Sequence, residues 1–526
     1  MSSRLLAECI DQLDQYGFSP EFHAYFMRQK LRLMGSADVA AGLVVLATQE
    51  EAYSETASQL LGMLLDEARM GLENDSSNAS DFLEAVEVVI QSGLEAGALQ
   101  HTQLMILAAL YRRAALPVPQ ALMLDPASMP PPPETEDIDI SKSLEEIAAD
   151  VLSDGGSAND LFNVIDEMLA SVPEDPRSAL AHHLATMGSP VFERCALYML
   201  LAGTEAVQEA IVAGLHERLV KATLSQHTLS LLPMIRGWFA EGPIRSGLDG
   251  LLREARRRTT PAQADTDVAP IQEIVASIVD GAGTQSIGIL LKQRTEVSVA
   301  MILLKAGHGI KDAFVVPSED NNGADVEPIV AHLREEADAI DISYSTLERL
   351  LEGAFHEGLD NNGLPAPGIL DVVEACHLFE LRPQKLALDE LFDLADPENE
   401  VRGASSQGLG RWINDREALS RLEYLTDSWF EDTRETRQIV ASGRTDRGIE
   451  TAIWKYLESR RELWARRFLQ TAIILHEDER LREWKTLTAS AHGLISGRAL
   501  KRIPLMEDMV HMTIEAAIAE IDQSEQ

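Results

Sequence analysis

Apolar residues recur at three- to four-residue spacing along most of this chain, the pattern of helices that each bury one face. Leu5, Cys9 and Leu13 open the series and Leu60, Leu61, Leu64 and Leu65 continue it. Residues 78–97 and 99–115 are further amphipathic segments. Gly35, Gly97 and the polar cluster at 73–80 punctuate them, so about six helices are predicted before residue 115.

The same period returns after residue 141. Leu180, Leu184 and Met187 share one face, Ala196, Leu197, Leu200 and Leu201 the next, and Val207, Ala210, Ile211 and Leu215 a third. The connections at Gly188-Ser189-Pro190 and Gly203-Thr204 are short, which makes these neighbours antiparallel. Ser189 as N-cap with Pro190 in the first helical position marks a helix start. From residue 327 onward the pattern is helical again, with long helices predicted over 446–480 and from 481 to the frayed end.

The period changes once. Residues 271–279 read as a helix stopped by Asp280-Gly281-Ala282-Gly283. Residues 286–292, 297–305 and 310–316 are then β-branched or apolar runs, separated by turn-like residues at 293–296 and 306–309. That is the pattern of a three-stranded antiparallel meander, which must rest on helices to be stable.

Two stretches break the helical series. Pro117, Pro119, Pro126 and the run 130–133, followed by Glu134, Glu136, Asp137 and Asp139, mark a linker over 116–140. A second covers 259–268. The expected organisation is a helical unit 1–115, a helical unit 141–258, a small α+β segment 269–326 carrying the meander, and a helical unit 327–526.

Asp396-Pro397-Glu398-Asn399-Glu400-Val401-Arg402-Gly403-Ala404, running on to Leu409-Gly410, resembles the second-helix signature of HEAT repeats. Ser189-Pro190 through Glu193-Arg194-Cys195-Ala196-Leu197 is a weaker echo of it, so the resemblance touches residues 175–218 and 386–414. It implies helix pairs stacked into a curved, protein-binding solenoid, although no regular repeat runs through the chain as an array would show. The fold class expected is mainly α: helical hairpins in a bundle or HEAT-like arrangement, with one small antiparallel meander over about 286–316.

Composition changes this picture little, and charge changes it more. The hydrophobic fraction is 45% and the charged fraction 25%, which fits a folded chain and not a disordered one. Net charge is −40, unevenly placed: residues 401–526 carry 19 Lys+Arg and 21 Asp+Glu, leaving 26 and 64, a net of −38, for residues 1–400. Such a field repels nucleic-acid phosphates and attracts basic partners; the plainer alternative is a solubility device. Cys9, Cys195 and Cys376 form no ligand-spaced pair and read as free thiols in a reducing compartment. Glu8, Asp11 and Asp14 stand where a secretory signal needs an apolar core, and no apolar run is long enough to span a membrane. A bacterial cytoplasmic protein is expected, with no membrane partner.

The common catalytic motifs are missing. His216-Glu217, His356-Glu357 and His476-Glu477 lack the second histidine of a zinc helix. Gly281, Gly283 and Gly288 do not have dinucleotide-loop spacing, and Ser286 between Gly283 and Gly288 does not fit a nucleophile elbow. The two Asp-Asn-Asn-Gly copies ending at Gly323 and Gly363 put Ser318 or Gly358 first and Ile329 or Ile369 last in a calcium loop, so they read as left-handed turns. Glu374, Cys376, His377 and His356 mix nucleophile and base types, but adjacent residues diverge by about 100° on a helix, and core packing of Cys376 explains them better. Arg460, Arg461, Arg466 and Arg467 near Trp454 and Trp464 suggest a nucleic-acid surface, yet Glu458 and Glu462 alternate with them at ion-pair spacing. No metal, cofactor or catalytic residue is assigned.

One candidate binding site stands out. At residues 280–285 glycines let backbone N–H groups approach a ligand; Asp280, Gly281, Gly283 and Gln285 would form it, with Lys305 and His308 on the facing turn of the meander. The structural alternative is a plain glycine turn. The leading functional expectation is a non-enzymatic helical scaffold that binds a protein partner, a basic one, through its acidic surface. An enzyme or ligand-binding protein with a small-molecule site at the 280–285 loop is the alternative, and an acidic mimic of nucleic acid is a third.

Overall fold

Several helices start where a short polar side chain caps them. Ser36 accepts from the Val39 N–H and opens helix Ala37–Ala47; Ser157 and Asp160 cap reciprocally at Ala158–Met168; Ser343 accepts from Thr346 N–H at Tyr344–Asp360. Pro190 occupies the first turn of Pro190–Ala202, where the sequence places it. The computed structural model describes residues 2–48, 54–73, 77–124, 139–258, 271–293, 296–319, 323–425, 427–478 and 482–524. Among them are twenty-four α-helices and one five-stranded antiparallel sheet, so the protein is mainly α. The proline run, the whole of the second linker at 259–268 and the turn at 320–322 lie outside the described residues.

The chain forms two compact units. The first comprises Met1–Ala181 with Asp432–Ala441 and Ala517–Gln526. Six helices from Ser2–Tyr16 to His101–Arg113 close around Cys9, Leu13, Phe22, Leu43, Leu60, Leu64 and Phe82. Arg112 and Arg113, in the last turn of that sixth helix, pair with Asp166 at 2.5 Å and Glu167 at 2.7 Å and tie it to Ala158–Met168. Residues 116–124 also pack here: Leu116 and Leu122 are buried in the same core and the Leu124 N–H donates to the Ser171 carbonyl.

The second unit comprises His182–Glu431 and Ser442–Ala516. Its helices Pro190–Ala202, Glu205–Lys221, Gln226–Trp238 and Pro243–Arg258 follow one another through short connections. Val207, Ile211 and Leu215 are buried, as the spacing requires. Glu193, 1% exposed, pairs with buried Arg218 and accepts from the Ser225 N–H and the Thr228 hydroxyl, holding the start of Gln226–Trp238. Glu193→Gln strands the Arg218 charge, and urea denaturation is expected to show a loss of about 2 kcal/mol. An unchanged midpoint would contradict that role.

The sheet has the order β4-β3-β2-β1-β5, with β1 Ile271–Ala276, β2 Thr284–Gln293, β3 Glu296–Lys305, β4 Gly309–Pro317 and β5 Ile340–Asp341. β2, β3 and β4 are the predicted meander; Thr284 pairs with Lys305 and Gln293 with Glu296. Ile287 and Ile289 are buried, and so is Leu290 on the other face, which is why these strands read as continuous apolar runs. Helix Glu327–Glu336 covers one face through Val330 against Val275, Leu290, Val297 and Val299. Helices Tyr344–Asp360 and Ile369–Ala375 lie against β4.

Three expectations are corrected. Residues 271–279 are not a helix: β1 runs to Ala276 and pairs with β2, Ile274 opposite Ile289. Ile271, Ile274, Val275 and Val279 satisfy a helical spacing, but the β-branched residues take a strand once β2 offers an edge. The stretch 446–480 is not one helix; it breaks between Asp446–Glu458 and Arg461–His476, and Gly497 at φ +78° later separates Glu483–Ile495 from Pro504–Ser524. Residues 396–405 are turns between helices Leu388–Ala395 and Ser406–Ile413. Buried Asp396 accepts from the N–H groups of Glu400, Val401 and Arg402, so the Asp-Pro that resembles a HEAT helix start caps a turn instead.

Candidate functional site

The Asp280–Gly283 turn is fastened from within. Asp280 N–H donates to the Thr284 carbonyl at 3.0 Å, Gly283 N–H to the Asp280 carbonyl at 3.0 Å, and Thr284 N–H to Asp280 Oδ1 at 2.6 Å. Gly281 N–H donates to the Ser428 hydroxyl, and a Cβ on Gly281 would stand 1.9 Å from the Ser428 carbonyl oxygen. Gly283 has φ +79° and sits beneath Ala306, whose N–H donates to the Gly283 carbonyl. Glycine is therefore required here for close approach at 281 and for the left-handed backbone at 283. The N–H groups of Gly281 and Gly283 hold the turn in place of a ligand.

Beside the turn, at the β2–β3–β4 end of the sheet, lies a cavity of about 430 Å³. Gly283 lines it from the turn, Gln285 and Lys305 from the strands; Ala354, His356, Glu357 and Asp360 from helix Tyr344–Asp360; Lys385, Leu386 and Leu391 from the segment after it; and Glu462, Arg466, Arg467 and Gln470 from helix Arg461–His476. Three of the six residues singled out in the sequence thus come together on its wall. Asp280 and Gly281 build the turn behind it, and His308 is exposed on the β3–β4 turn and off the cavity lining. Gln285 is itself tied to the Ser277 carbonyl through Nε2 at 2.9 Å, and Lys305 reaches the Thr284 hydroxyl at 3.3 Å.

Arg467 is the residue that sequence reasoning passed over. The other three arginines of its group are accounted for: Arg460 pairs with Glu431 at 3.1 Å, Arg461 with Glu458 at 2.6 Å and Arg466 with Glu462 at 3.4 Å. Arg467 is 8% exposed, and its Nε and Nη1 are buried with no hydrogen-bond partner among the described residues. Its guanidinium carbon lies 4.6 Å from the centroid of the Trp464 ring. Nη2 lies 3.5 Å from where a Cβ on Gly283 would be, and both residues line the cavity. Burial pushes the Arg467 pKa down while the Glu431 and Asp280 carboxylates oppose that shift. Glu431 is already engaged by Arg460, the Trp464 indole N–H at 2.8 Å and the Tyr456 hydroxyl. A buried arginine whose donors lack acceptors is costly, and a carboxylate or phosphate would satisfy it. The signal was legible in principle: from Trp464 to Leu475 the helix is buried almost all round, and a charge there is out of place.

The thiol and imidazole candidates do not converge. Cys376 is fully buried, and burial pushes its thiol up to about 12. Glu374 is taken by Arg194 at 3.1 Å and by His227, while His377 stands in the turn after Ile369–Ala375 with φ +55°. The folded state therefore keeps the Cys376 proton at a pH where the unfolded chain has released it. That stability is fully present below about pH 9 and is lost as pH rises toward 12. Thermal melts are expected to fall over that window, less steeply for Cys376→Ala; equal slopes would contradict the assignment. The second Asp-Asn-Asn-Gly is a left-handed helix ending, with Asn362 at φ +60° and the Asn361 amide on the Gly307 and Glu357 carbonyls. Among the described residues no helix is long and apolar enough to cross a membrane.

Fold and cavity together define a mainly α protein with a ligand-sized, partly charged cavity at the end of a small sheet. Comparison with known proteins matches four consecutive family models: the "Uncharacterised protein y4lR N-terminal domain" at residues 3–119, the "Y4lR second domain" at 173–259, a "Domain of unknown function (DUF7401)" at 266–383 and the "Y4lR C-terminal helical domain" at 389–518. The chain is 40% identical over 516 residues to the "Uncharacterized protein y4lR" of Sinorhizobium fredii (strain NBRC 101917 / NGR234), covering 98% of each chain, and it belongs to the Y4lR family. No solved structure matches.

Proposed function

We propose that this protein binds, in the cavity at the end of the sheet, a small molecule that carries a carboxylate or phosphate group. The observation that carries the reading is Arg467: a guanidinium 8% exposed, with two nitrogens lacking acceptors, on the wall of a cavity of about 430 Å³. Ligand cavities commonly run from about 300 to 1,000 Å³ and join an apolar lining to a few placed polar groups. Leu304, Leu350, Leu386, Leu391 and Leu463 supply the apolar part here. The expectation of a protein-binding scaffold draws on the net charge of −40 and on the helical hairpins, which many folded proteins share. The cavity is specific, and it favours the small-molecule reading.

Calorimetric titration of the full chain with acetate, succinate, citrate, inorganic phosphate and the free amino acids tests it. At least one is expected to bind below about 1 mM, and Arg467→Met is expected to weaken that binding by about a hundredfold. Binding of none, or binding that Arg467→Met leaves unchanged, would remove the reading.

A further inference from the structure

Resting on the reading above, we infer that the ligand is a zwitterion with an apolar body, of the amino-acid or dipeptide class: its carboxylate meets Arg467 and its ammonium meets Glu357 and Asp360. The cavity is not uniformly basic. Glu357 and Asp360 lie one helical turn apart on the Tyr344–Asp360 helix and both face it. Glu357 Oε1 accepts the Gly307 N–H at 2.8 Å, and neither carboxylate has an ion-pair partner among the described residues. On the Arg461–His476 helix the charge of Arg466 is matched by Glu462 at 3.4 Å, which leaves Arg467 as the buried cation of that wall whose Nε and Nη1 lack hydrogen-bond acceptors.

One wall thus offers a guanidinium with unmet donors and another offers carboxylates that form no ion pair among the described residues, with leucines between them and Lys305 and Lys385 also on the lining. A plain dianion would satisfy Arg467 and be repelled by Glu357 and Asp360; a plain amine would do the reverse. A molecule with one group of each sign satisfies both walls, and an apolar side group fits the leucine lining. Arg467 suits a carboxylate, because a charge-assisted hydrogen bond from Nη2, the guanidinium nitrogen that is not fully buried, is stronger than one between neutral groups.

The test compares leucine and the dipeptide Leu-Leu with 4-methylpentanoate, which lacks the ammonium, and 3-methylbutan-1-amine, which lacks the carboxylate. Acetate and inorganic phosphate serve as plain anions. Titrations use the full chain, Arg467→Met, Asp360→Asn and the double variant Glu357→Gln/Asp360→Asn. Leucine or Leu-Leu is expected to bind about tenfold or more tighter than either truncated analogue, through one added charged contact. The double variant is expected to erase the preference over 4-methylpentanoate, and Asp360→Asn, at an exposed helix end, to reduce it. If 4-methylpentanoate or phosphate binds as tightly as leucine and still depends on Arg467, the zwitterion inference is overturned and the anion reading stands. If no compound binds the wild type, both are overturned.

Discussion

Arg467→Met is expected to leave the protein folded and no less stable, while weakening its anion binding by about a hundredfold. Methionine fills a comparable volume with apolar atoms, so the variant no longer buries a guanidinium whose Nε and Nη1 lack partners. The Trp464 ring loses a cation 4.6 Å from its centroid, a contribution of about 1–2 kcal/mol, and relief of the desolvation offsets it. Glu431 keeps Arg460, the Trp464 N–H and the Tyr456 hydroxyl and needs no new partner. Ligand binding has no such compensation, because a charge-assisted contact of roughly 2–3 kcal/mol is lost outright. Urea midpoints and calorimetric titration on the same preparations separate the two effects. A large loss of stability would make Arg467 a structural residue and remove it as the mark of a site.

Gly281→Ala is expected to do the opposite and strike stability first. The added methyl would stand 1.9 Å from the Ser428 carbonyl oxygen and 3.1 Å from the Trp429 Cα, both backbone atoms that cannot rotate away. Either the turn or the 428–429 segment must shift. That segment carries Trp429, which is buried, stacks on Phe468 at 5.1 Å between ring centroids and donates to the Val279 carbonyl at 2.8 Å. Overpacking of this kind costs about 1–3 kcal/mol where side chains can yield and more where backbone meets backbone, so a loss of about 4 kcal/mol is expected in urea denaturation. Gly307→Ala is the control: Gly307 has φ +78° but nothing within 4 Å of an added Cβ, and it should lose only about 1 kcal/mol. Equal effects at the two positions would show that the 281 contact is not the cause.

What could be read in the sequence follows from how local each signal is. The three strands from Thr284 to Pro317 were legible because β-branched runs and glycine turns sit side by side. β1 was not, since a six-residue segment whose apolar positions are Ile271, Ile274, Val275 and Ala276 fits a strand and a helix equally until its partner is known. β5, two residues long, has no pattern to find. The helix break between Glu458 and Arg461 depends on distant partners, the Arg461 guanidinium reaching the Leu494 and Arg498 carbonyls.

At the site, Gly283, Gln285 and Lys305 are legible because glycine and polar residues flank a change of period, and the structure puts them on one cavity wall. Asp280 and Gly281 show the same pattern and hold the turn, Asp280 through the Thr284 N–H and Gly281 against Ser428, a distant neighbour that the local sequence does not reveal. Arg467 was hidden by its company. Glu458 and Glu462 account for Arg461 and Arg466 by spacing alone, and the same rule was extended to a residue that lies on the buried side of the helix. Helical spacing identifies possible partners, but the face that is buried decides which pairs can form.

The most direct measurement is a thermal melt of wild type and Arg467→Met, each with and without a desalted small-molecule extract from the cells that make the protein. If the cavity is the functional site, the extract adds RT ln(1 + [L]/Kd) to the stability of the wild type and so raises its melting temperature, and it leaves the variant where it was. An equal rise in both proteins, or none in the wild type, would contradict the account.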